Sequence, residues 1–420
     1  MSGGTTLPYA NEEEHGIAHL SFNGSLGFLK DIQAEMAYKN YRTESFFIQD
    51  SYHRKAVKSE KNRIYTLGKK MLFPYGSLQL RTDMNRSEYS GKQMKKGYYI
   101  EPVVYHYEDI LKKKAYNGAG ILKLKDETGY SLIEWFEIDI ALRLDRQEIR
   151  SEKSGEGMEY PVFREKEYSW QKFSRKMSFS VSSHLKNSDY VLYVLSGDNV
   201  RFPKLDELYR SGFTELGAFR DCTLVPERNV SFELGINGTN YPQGAWGFLD
   251  KVEYAFSYFN NRYENKIYEV FAMRKDPTPV NSVTPSEIHG IDLSLTATTL
   301  HGALEIHGGS MLLDISDIRV FQNKPEYRHQ IEFRIHPCKT HYRIRLFLEG
   351  RQSYYYSQTE GIVYQGELEG RKNVDMYISR DFKTGPLTWT AGGSVRNLFS
   401  NHTIWYLDRR YWMISLNMTW

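Results

Sequence analysis

Tyr411-Trp412-Met413-Ile414-Ser415-Leu416-Asn417-Met418-Thr419-Trp420 ends the sequence and decides its reading. Side chains of a strand alternate between two faces, so Trp412, Ile414, Leu416, Met418 and Trp420 share one face. Tyr411, Met413, Ser415, Asn417 and Thr419 share the other. Working backwards, the same pattern recurs. Tyr342, Ile344, Leu346 and Leu348 alternate with Arg343, Arg345, Phe347 and Glu349. Ile331, Phe333 and Ile335 alternate with Glu332, Arg334 and His336. Ile291, Leu293 and Leu295, then Val252, Tyr254, Phe256 and Tyr258, then Val230, Phe232, Leu234 and Ile236 repeat it. Phe136, Ile138, Ile140 and Leu142 carry it into the N-terminal half. No segment sustains a 3.6-residue period, and no repeat of solenoid length is present.

Composition narrows what these strands build. The 420 residues are 40% hydrophobic, 25% charged and 15% aromatic, with 32 Tyr and 22 Phe. That is too aromatic for a disordered chain. No stretch reaches the ~18 consecutive apolar residues of a membrane helix. A net charge of +3 gives no electrostatic footprint for nucleic acid. Two cysteines, Cys222 and Cys338, rule out a disulfide framework. The start Met-Ser-Gly-Gly-Thr-Thr carries no secretory signal, which reads as a cytoplasmic protein or as a mature or partial chain.

One face of nearly every strand carries large apolar side chains and the other is repeatedly charged. About 18 strands enclose more space than inward-pointing side chains can fill. An apolar exterior around a polar lumen fits instead, which requires a bilayer. Strands of ~9–11 residues suit a tilted crossing. Connections in the C-terminal half alternate short (298–301, 337–340, 382–386) and long (199–226, 261–286, 315–327, 353–370, 398–409). Short turns at one rim and long loops at the other are the outer-membrane pattern. The expectation is an all-β, transmembrane antiparallel β-barrel of about 18 strands over residues 15–420, preceded by a segment 1–14. Its N-terminal strands occupy 15–198, an extracellular loop 199–226, and nine C-terminal strands 227–420. The parity of the strands fails to close somewhere between residues 73 and 146, so one strand there is miscounted.

Local features resemble one family, the TonB-dependent outer-membrane receptors. Val200-Arg201-Phe202-Pro203-Lys204-Leu205-Asp206-Glu207-Leu208-Tyr209 is similar to the family's F-R-A-P-x-L-x-E-L-Y box, without the intervening Arg-Ala. Phe202, Pro203, Leu205, Glu207, Leu208 and Tyr209 are its matching positions. Thr223-Leu224-Val225-Pro226-Glu227 resembles the next box through Pro226 and Glu227, and leads into Ser231-Phe232-Glu233-Leu234-Gly235. Arg396-Asn397-Leu398-Phe399 resembles the x-N-L-F element before the last loop, through Asn397, Leu398 and Phe399. The resemblance implies a barrel of a possible 22 strands around an N-terminal plug. Residues before the first strand are too few for a plug, so the chain resembles the C-terminal part of such a barrel or a plug-less relative. It also implies that the final strand, through Trp412, Ile414, Leu416, Met418 and Trp420, carries the signal read by the barrel-assembly machinery.

No catalytic constellation is present; the strand serines have no His/Asp framework and Gly308-Gly309 lacks the lysine of a phosphate loop. The chain reads as no enzyme and implies no cofactor. His336-Pro337-Cys338-Lys339-Thr340-His341 holds ligand types, but Pro337 and the short link favour a turn, and no fourth ligand is evident. By parity, His301 and His307 face the lumen. The resemblance implies a ligand loop at 204–225, and haem receptors of the family place an iron-binding His there. None occurs here, which argues against haem. Arg210, Phe213 and Arg220 in this loop, and Tyr354, Tyr355 and Tyr356 in another, are candidate contacts for an iron chelate or corrin. The Tyr run reads more readily as the aromatic girdle of a membrane interface. The expected partners are outer-membrane lipid, the assembly machinery, a small nutrient ligand, and the TonB complex if a plug exists elsewhere. The expected role is nutrient uptake across a bacterial outer membrane. A passive plug-less porin is the first alternative, and an even strand count with a long loop folded into the lumen would favour it. A soluble or surface all-β binding protein is the second.

Overall fold

The computed structural model describes residues 10–26, 29–49, 52–97, 104–127, 133–154, 167–212, 224–272, 278–359, 362–399 and 410–419. The strands are β1 (Ala10–Leu26), β2 (Leu29–Gln49), β3 (Tyr52–Phe73), β4 (Gly76–Gly97), β5 (Val104–Glu127), β6 (Trp135–Ser154), β7 (Glu167–Leu185), β8 (Ser188–Arg201), β9 (Glu227–Asn240), β10 (Leu249–Glu264), β11 (Ile267–Ala272), β12 (Thr278–Asn281), β13 (Ser286–Thr299), β14 (Leu304–Ile315), β15 (Tyr327–Ile335), β16 (Thr340–Glu349), β17 (Gln352–Thr359), β18 (Ile362–Leu368), β19 (Arg371–Thr384), β20 (Leu387–Arg396) and β21 (Tyr411–Thr419). Among the described residues one α-helix, α1 (Leu205–Gly212), interrupts them.

Among the described residues, seventeen strands form one sheet. Neighbours in sequence pair antiparallel from β1 to β10, then β10 with β13, onward to β16, β16 with β19, and on to β21. The strands missing from this meander, β11, β12, β17 and β18, make a second sheet within two of the long connections, where sequence reading expects plain loops. Those connections lie outside the hydrocarbon, where loop backbone gains by pairing with itself. The sheet count of seventeen stands beside an expectation of about 18. Between residues 73 and 146, β4 and β5 are separate long strands, which resolves the parity clash.

Strands β2 to β6 run 20 to 24 residues, about twice the ~9–11 needed to cross. Lipid thickness sets a minimum length, not a maximum, so hairpins continue beyond the membrane. The first strand begins at Ala10, five positions before the expected boundary. At one end of the sheet the turns are tight. Thr384 faces Leu387 across Gly385-Pro386, with Gly385 at φ 61°. Glycine is the residue that enters that left-handed region freely, as a two-residue hairpin requires. His301 also lies in a turn, between β13 and β14, at φ 54°, and is fully exposed there rather than on the lumen wall. His307 is in β14, opposite Thr296.

Register separates two faces. Ile306, Phe333, Ile344 and Met376 lie side by side across β14, β15, β16 and β19, as do Ile331, Leu346 and Val374. Ile414 (92% exposed), Leu416 and Met418 continue this apolar surface along β21. The opposite face carries Arg334 beside Arg343 and Glu332 beside Arg345. A bilayer accepts the first face and water the second. Among the described residues no helix is long and apolar enough to cross a membrane.

Leu346 sits mid-strand on the apolar face. Arg on the lipid face at the midplane costs ~2–4 kcal/mol. Leu346→Arg should therefore deplete the heat-modifiable, folded band of outer-membrane fractions, while Leu346→Val should leave it near normal.

Candidate functional site

The connection from β8 to β9 folds back onto the wall. Pro203 precedes α1, Leu205 and Leu208 stand three apart, and Asp206 and Glu207 occupy the first turn, where acids favour the helix dipole. Residues 204–225, read as a loop from sequence, thus contain a helix whose signal is short but present. Glu207 reaches back to the backbone N–H of Lys204 at 2.8 Å, the reciprocal arm of a capping box. Leu205, Leu208 and Leu224 are buried against Tyr89 (β4), Leu111 (β5), Ile149 (β6) and Ile267 (β11), with Tyr168 and Trp170 of β7 beside them. Asp145, Gln147 and Ile149 share a face opposite the exposed Leu142 and Leu144, so α1 lies on the polar, lumen side of the wall. Tyr89 Oη donates to Asp206 at 3.1 Å, Gln147 Nε2 to the Pro203 carbonyl at 3.4 Å, and Phe202 stands 6.2 Å from Trp170.

Glu227 is the hub of this region and is 4% exposed. It accepts from Arg201 Nε (3.2 Å), Lys266 Nζ (2.9 Å) and the backbone N–H of Ile267 (3.1 Å). Arg201 also forks onto Glu207 at 2.9 and 3.0 Å. The two boxes separated in sequence are therefore joined by one arginine. Pro226 is buried next to the hub. Asn281 clasps Val225 through both its backbone groups. Neighbouring loops are strapped on: Tyr263 meets Phe321 edge-on at 5.3 Å, and Gln322 donates to the Glu269 carbonyl at 3.0 Å. Within the 316–326 connection, Arg319 beside Asp317 holds that carboxyl below the usual aspartate range.

Lower on the polar face the charges are laddered. Glu332 takes Arg334 at 2.6 Å and Arg345 at 2.7 Å, and Arg334 also reaches Glu305 at 3.3 Å. Glu349 is buried between Arg328 and Arg371. Beside this ladder a cleft of about 240 Å³ opens between β16, β19, β20 and β21. Arg343, Arg345, Arg396, Asp375, Tyr377 and Ser394 line it. Arg343 lies over the Tyr377 ring at 5.4 Å. Asn397, at φ 52°, ends β20 in the left-handed conformation that Asn tolerates. Its N–H donates to Asp375 at 2.9 Å, and Leu398 N–H donates to the Val374 carbonyl at 3.0 Å. The Asn397-Leu398 stop thus orients a cleft carboxylate, while Phe399 is exposed. Sequence reading names Arg343 and Arg345 as polar positions but misses the cleft, because Arg396 and Asp375 join them only through register.

Of the candidate ligand contacts, Tyr354, Tyr355 and Tyr356 lie in β17, opposite Gly366, Gln365 and Tyr364 of β18. This is strand within the second sheet rather than free loop. Tyr209 and Arg210 belong to α1. Phe213, Arg220, Cys222 and Trp420 lie outside the described residues. Trp412, Ile414, Leu416 and Met418 all face outward on β21. Among the described residues no three His, Cys, Asp or Glu side chains converge as a metal group.

This architecture has known counterparts. Residues 8–398 match the family described as TonB dependent receptor-like, beta-barrel, and the chain belongs to that family. It is a β-barrel of the outer membrane of Gram-negative bacteria. It is similar to the copper transporter OprC (14% identity, TM-score 0.68), covering 92% of this chain and 60% of that one. It is similar to the unliganded ferric citrate transporter FecA (12%, TM-score 0.63), covering 98% and 61%. It is also similar to BauA, the ferric preacinetobactin receptor from Acinetobacter baumannii (12%, TM-score 0.59), covering 97% and 63%. The chain thus spans about 60% of the length of these structures. A comparison with curated proteins finds no sequence match.

Two outcomes test the site. Glu227→Gln removes a charge-assisted acceptor worth about 1.5–3 kcal/mol, so local opening of 202–226 should rise roughly ten- to hundred-fold. Faster trypsin cleavage there, at unchanged folded yield, is the readout. Asp317 has a folded pKa below its unfolded one, so its contribution is full above the ordinary aspartate range and is lost as pH falls through the folded value. Acid-resistant-protease cleavage at 316–326 should therefore step up at acid pH, and Asp317→Asn should abolish the step.

Proposed function

We propose that this chain is the barrel of a receptor that takes up a scarce nutrient across the outer membrane, a ferric siderophore or cobalamin. An anionic ferric chelate is the better match of the two. The cleft carries the argument: three guanidinium groups face one carboxylate, Asp375, with Glu332 behind Arg345. Arginine forks suit the carboxylate and hydroxamate oxygens of such chelates. Similar structures include a ferric citrate transporter and receptors for alcaligin, ferric preacinetobactin and ferric yersiniabactin, which supports the class.

In this reading Arg210, Phe213, Arg220 and Tyr354 to Tyr356 offer outer contacts. The ligand then passes down the polar face, and no covalent bond is made or broken by the protein. Coupling to the TonB complex acts through a plug in the whole receptor. The Trp412-to-Trp420 strand serves recognition by the assembly machinery, and the apolar face meets lipid. One observation favours a second reading, a passive channel: α1 and its box lie against the lumen wall, as a pore constriction does. Among the described residues the main sheet has seventeen strands, whereas that reading asks for an even count.

Quenching of tryptophan fluorescence by a panel of ferric chelates separates these readings. Anionic chelates should bind saturably, and Arg343→Ala with Arg396→Ala should weaken them by about ten-fold or more, as loss of a charged contact of 1.5–3 kcal/mol predicts. Equal binding by the variant, or steady TonB-independent conductance in a planar bilayer with no saturable binding, would sink the receptor reading.

A further inference from the structure

His336 and His341 flank the 337–340 turn at the short-turn end of the sheet, which Thr340 N–H closes onto the Pro337 carbonyl at 3.1 Å. Ile335 pairs with Tyr342 on the apolar face, so both imidazoles fall on the lumen face. Their Nδ1 atoms stand 2.8 Å apart, with ring planes at 64°. On the far side of His341, Nε2 lies 3.4 Å from Asp381 Oδ2. Asp381 is itself held by Thr390 Oγ1 at 2.7 Å, and its N–H donates to the Lys339 carbonyl at 2.9 Å.

The tautomers follow from these contacts. An ionised carboxylate only accepts, so His341 carries its proton on Nε2 and presents a lone pair at Nδ1. A single proton, on His336 Nδ1, then bridges the two rings. Two ring nitrogens aimed at one point, with a carboxylate behind one of them, is the arrangement in which a metal ion replaces that proton.

We propose that His336 and His341 bind one borderline divalent cation of the Zn(II), Ni(II) or Cu(II) class through their Nδ1 atoms. Water completes the coordination shell, and Asp381 fixes the His341 tautomer from outside it. Tetrahedral Zn–N bonds of ~2.0–2.1 Å place two nitrogens about 3.3 Å apart, so the rings need to part by roughly 0.5 Å. Of the neighbouring positive charges, Arg334 is engaged with Glu332 and Glu305, Arg343 lies over Tyr377 and Arg380 over Phe382, while Lys339 sits in the turn itself. Two protein ligands are fewer than a closed structural zinc site uses, so the ion is exchangeable. Bound, it ties the ends of β15, β16 and β19 together at one rim.

The test uses untagged full chain in detergent, carrying Cys338→Ser to remove the exposed thiol of the same turn. Zn(II), Ni(II) and Cu(II) salts alone are the probes, by calorimetry and thermal unfolding. One ion per chain and a raised midpoint are expected. His336→Gln and His341→Gln should each abolish both, and Asp381→Asn should weaken binding about 10–100-fold. Because a turn variant can fold poorly, the Cu(II) electron paramagnetic resonance spectrum of the histidine-intact protein provides a second readout, with hyperfine structure from two imidazole nitrogens. Absence of that structure, or binding unchanged in both histidine variants, overturns the proposal. Neither outcome bears on chelate uptake, since no chelate is present.

Discussion

A backbone that crosses hydrocarbon has no water to satisfy its N–H and C=O groups, and everything else in this molecule follows from that constraint. Each described strand of the main sheet therefore gives its hydrogen bonds to a neighbour. Among the described residues of the meander the ladder shifts register near Gly24/Leu26 and Leu249/Lys251, both at the turn end. Continuous pairing fixes side-chain direction, and a slip of one residue would turn every apolar side chain into the lumen. The lipid-facing rows such as Ile306, Phe333, Ile344 and Met376 are thus a consequence of the ladder, and they also protect it.

Beyond the membrane the constraint relaxes, and the chain uses the freedom. A helix and a second sheet appear in the long connections, and the Glu227 hub forms where β8 and β9 run into one of them. Glu227 shows how such a region holds together without a large core. Burying a carboxylate is unfavourable unless it is fully paired, and here two cations and one backbone N–H converge on it. The hub's worth lies in geometry. Arg201 can serve Glu207 and Glu227 together only if α1 lies down on the wall, so the polar network and the apolar contacts of Leu205 and Leu208 select the same arrangement.

The strands were legible because period two needs no partner to be seen. Trp412 to Met418 reads as one face from seven letters. Length was less legible: β5 continues to 24 residues because nothing in an alternating pattern marks the membrane boundary. The helix was missed because eight residues give barely two turns, and Leu205 with Leu208 is too short a stripe to stand out. The second sheet was missed for a different reason. β11 and β17 pair in parallel, Phe271 with Tyr356, 85 positions apart in sequence, a contact that local pattern does not encode. The boxes around Pro203, Glu227 and Asn397 were visible as letters, but their work as a cap, a hub and a left-handed stop appears only when the partners are in place.

The same logic explains how so low an identity coexists with so similar a fold. Any large apolar residue satisfies an outward position and any polar residue an inward one, so the ladder constrains the alternation and hardly constrains the letters. Inward positions near the middle of the wall are freer still, because they meet neither lipid nor a packed core. Charge can be rewritten there at little cost to folding wherever no buried partner such as Glu332 depends on it. In this chain those positions hold Arg343, Arg345 and Arg396 around Asp375, and a few residues nearer the tight turns they hold His336 and His341. Chemistry that distinguishes one barrel from the next accumulates where the fold makes the fewest demands, which is on the lumen face and in the loops.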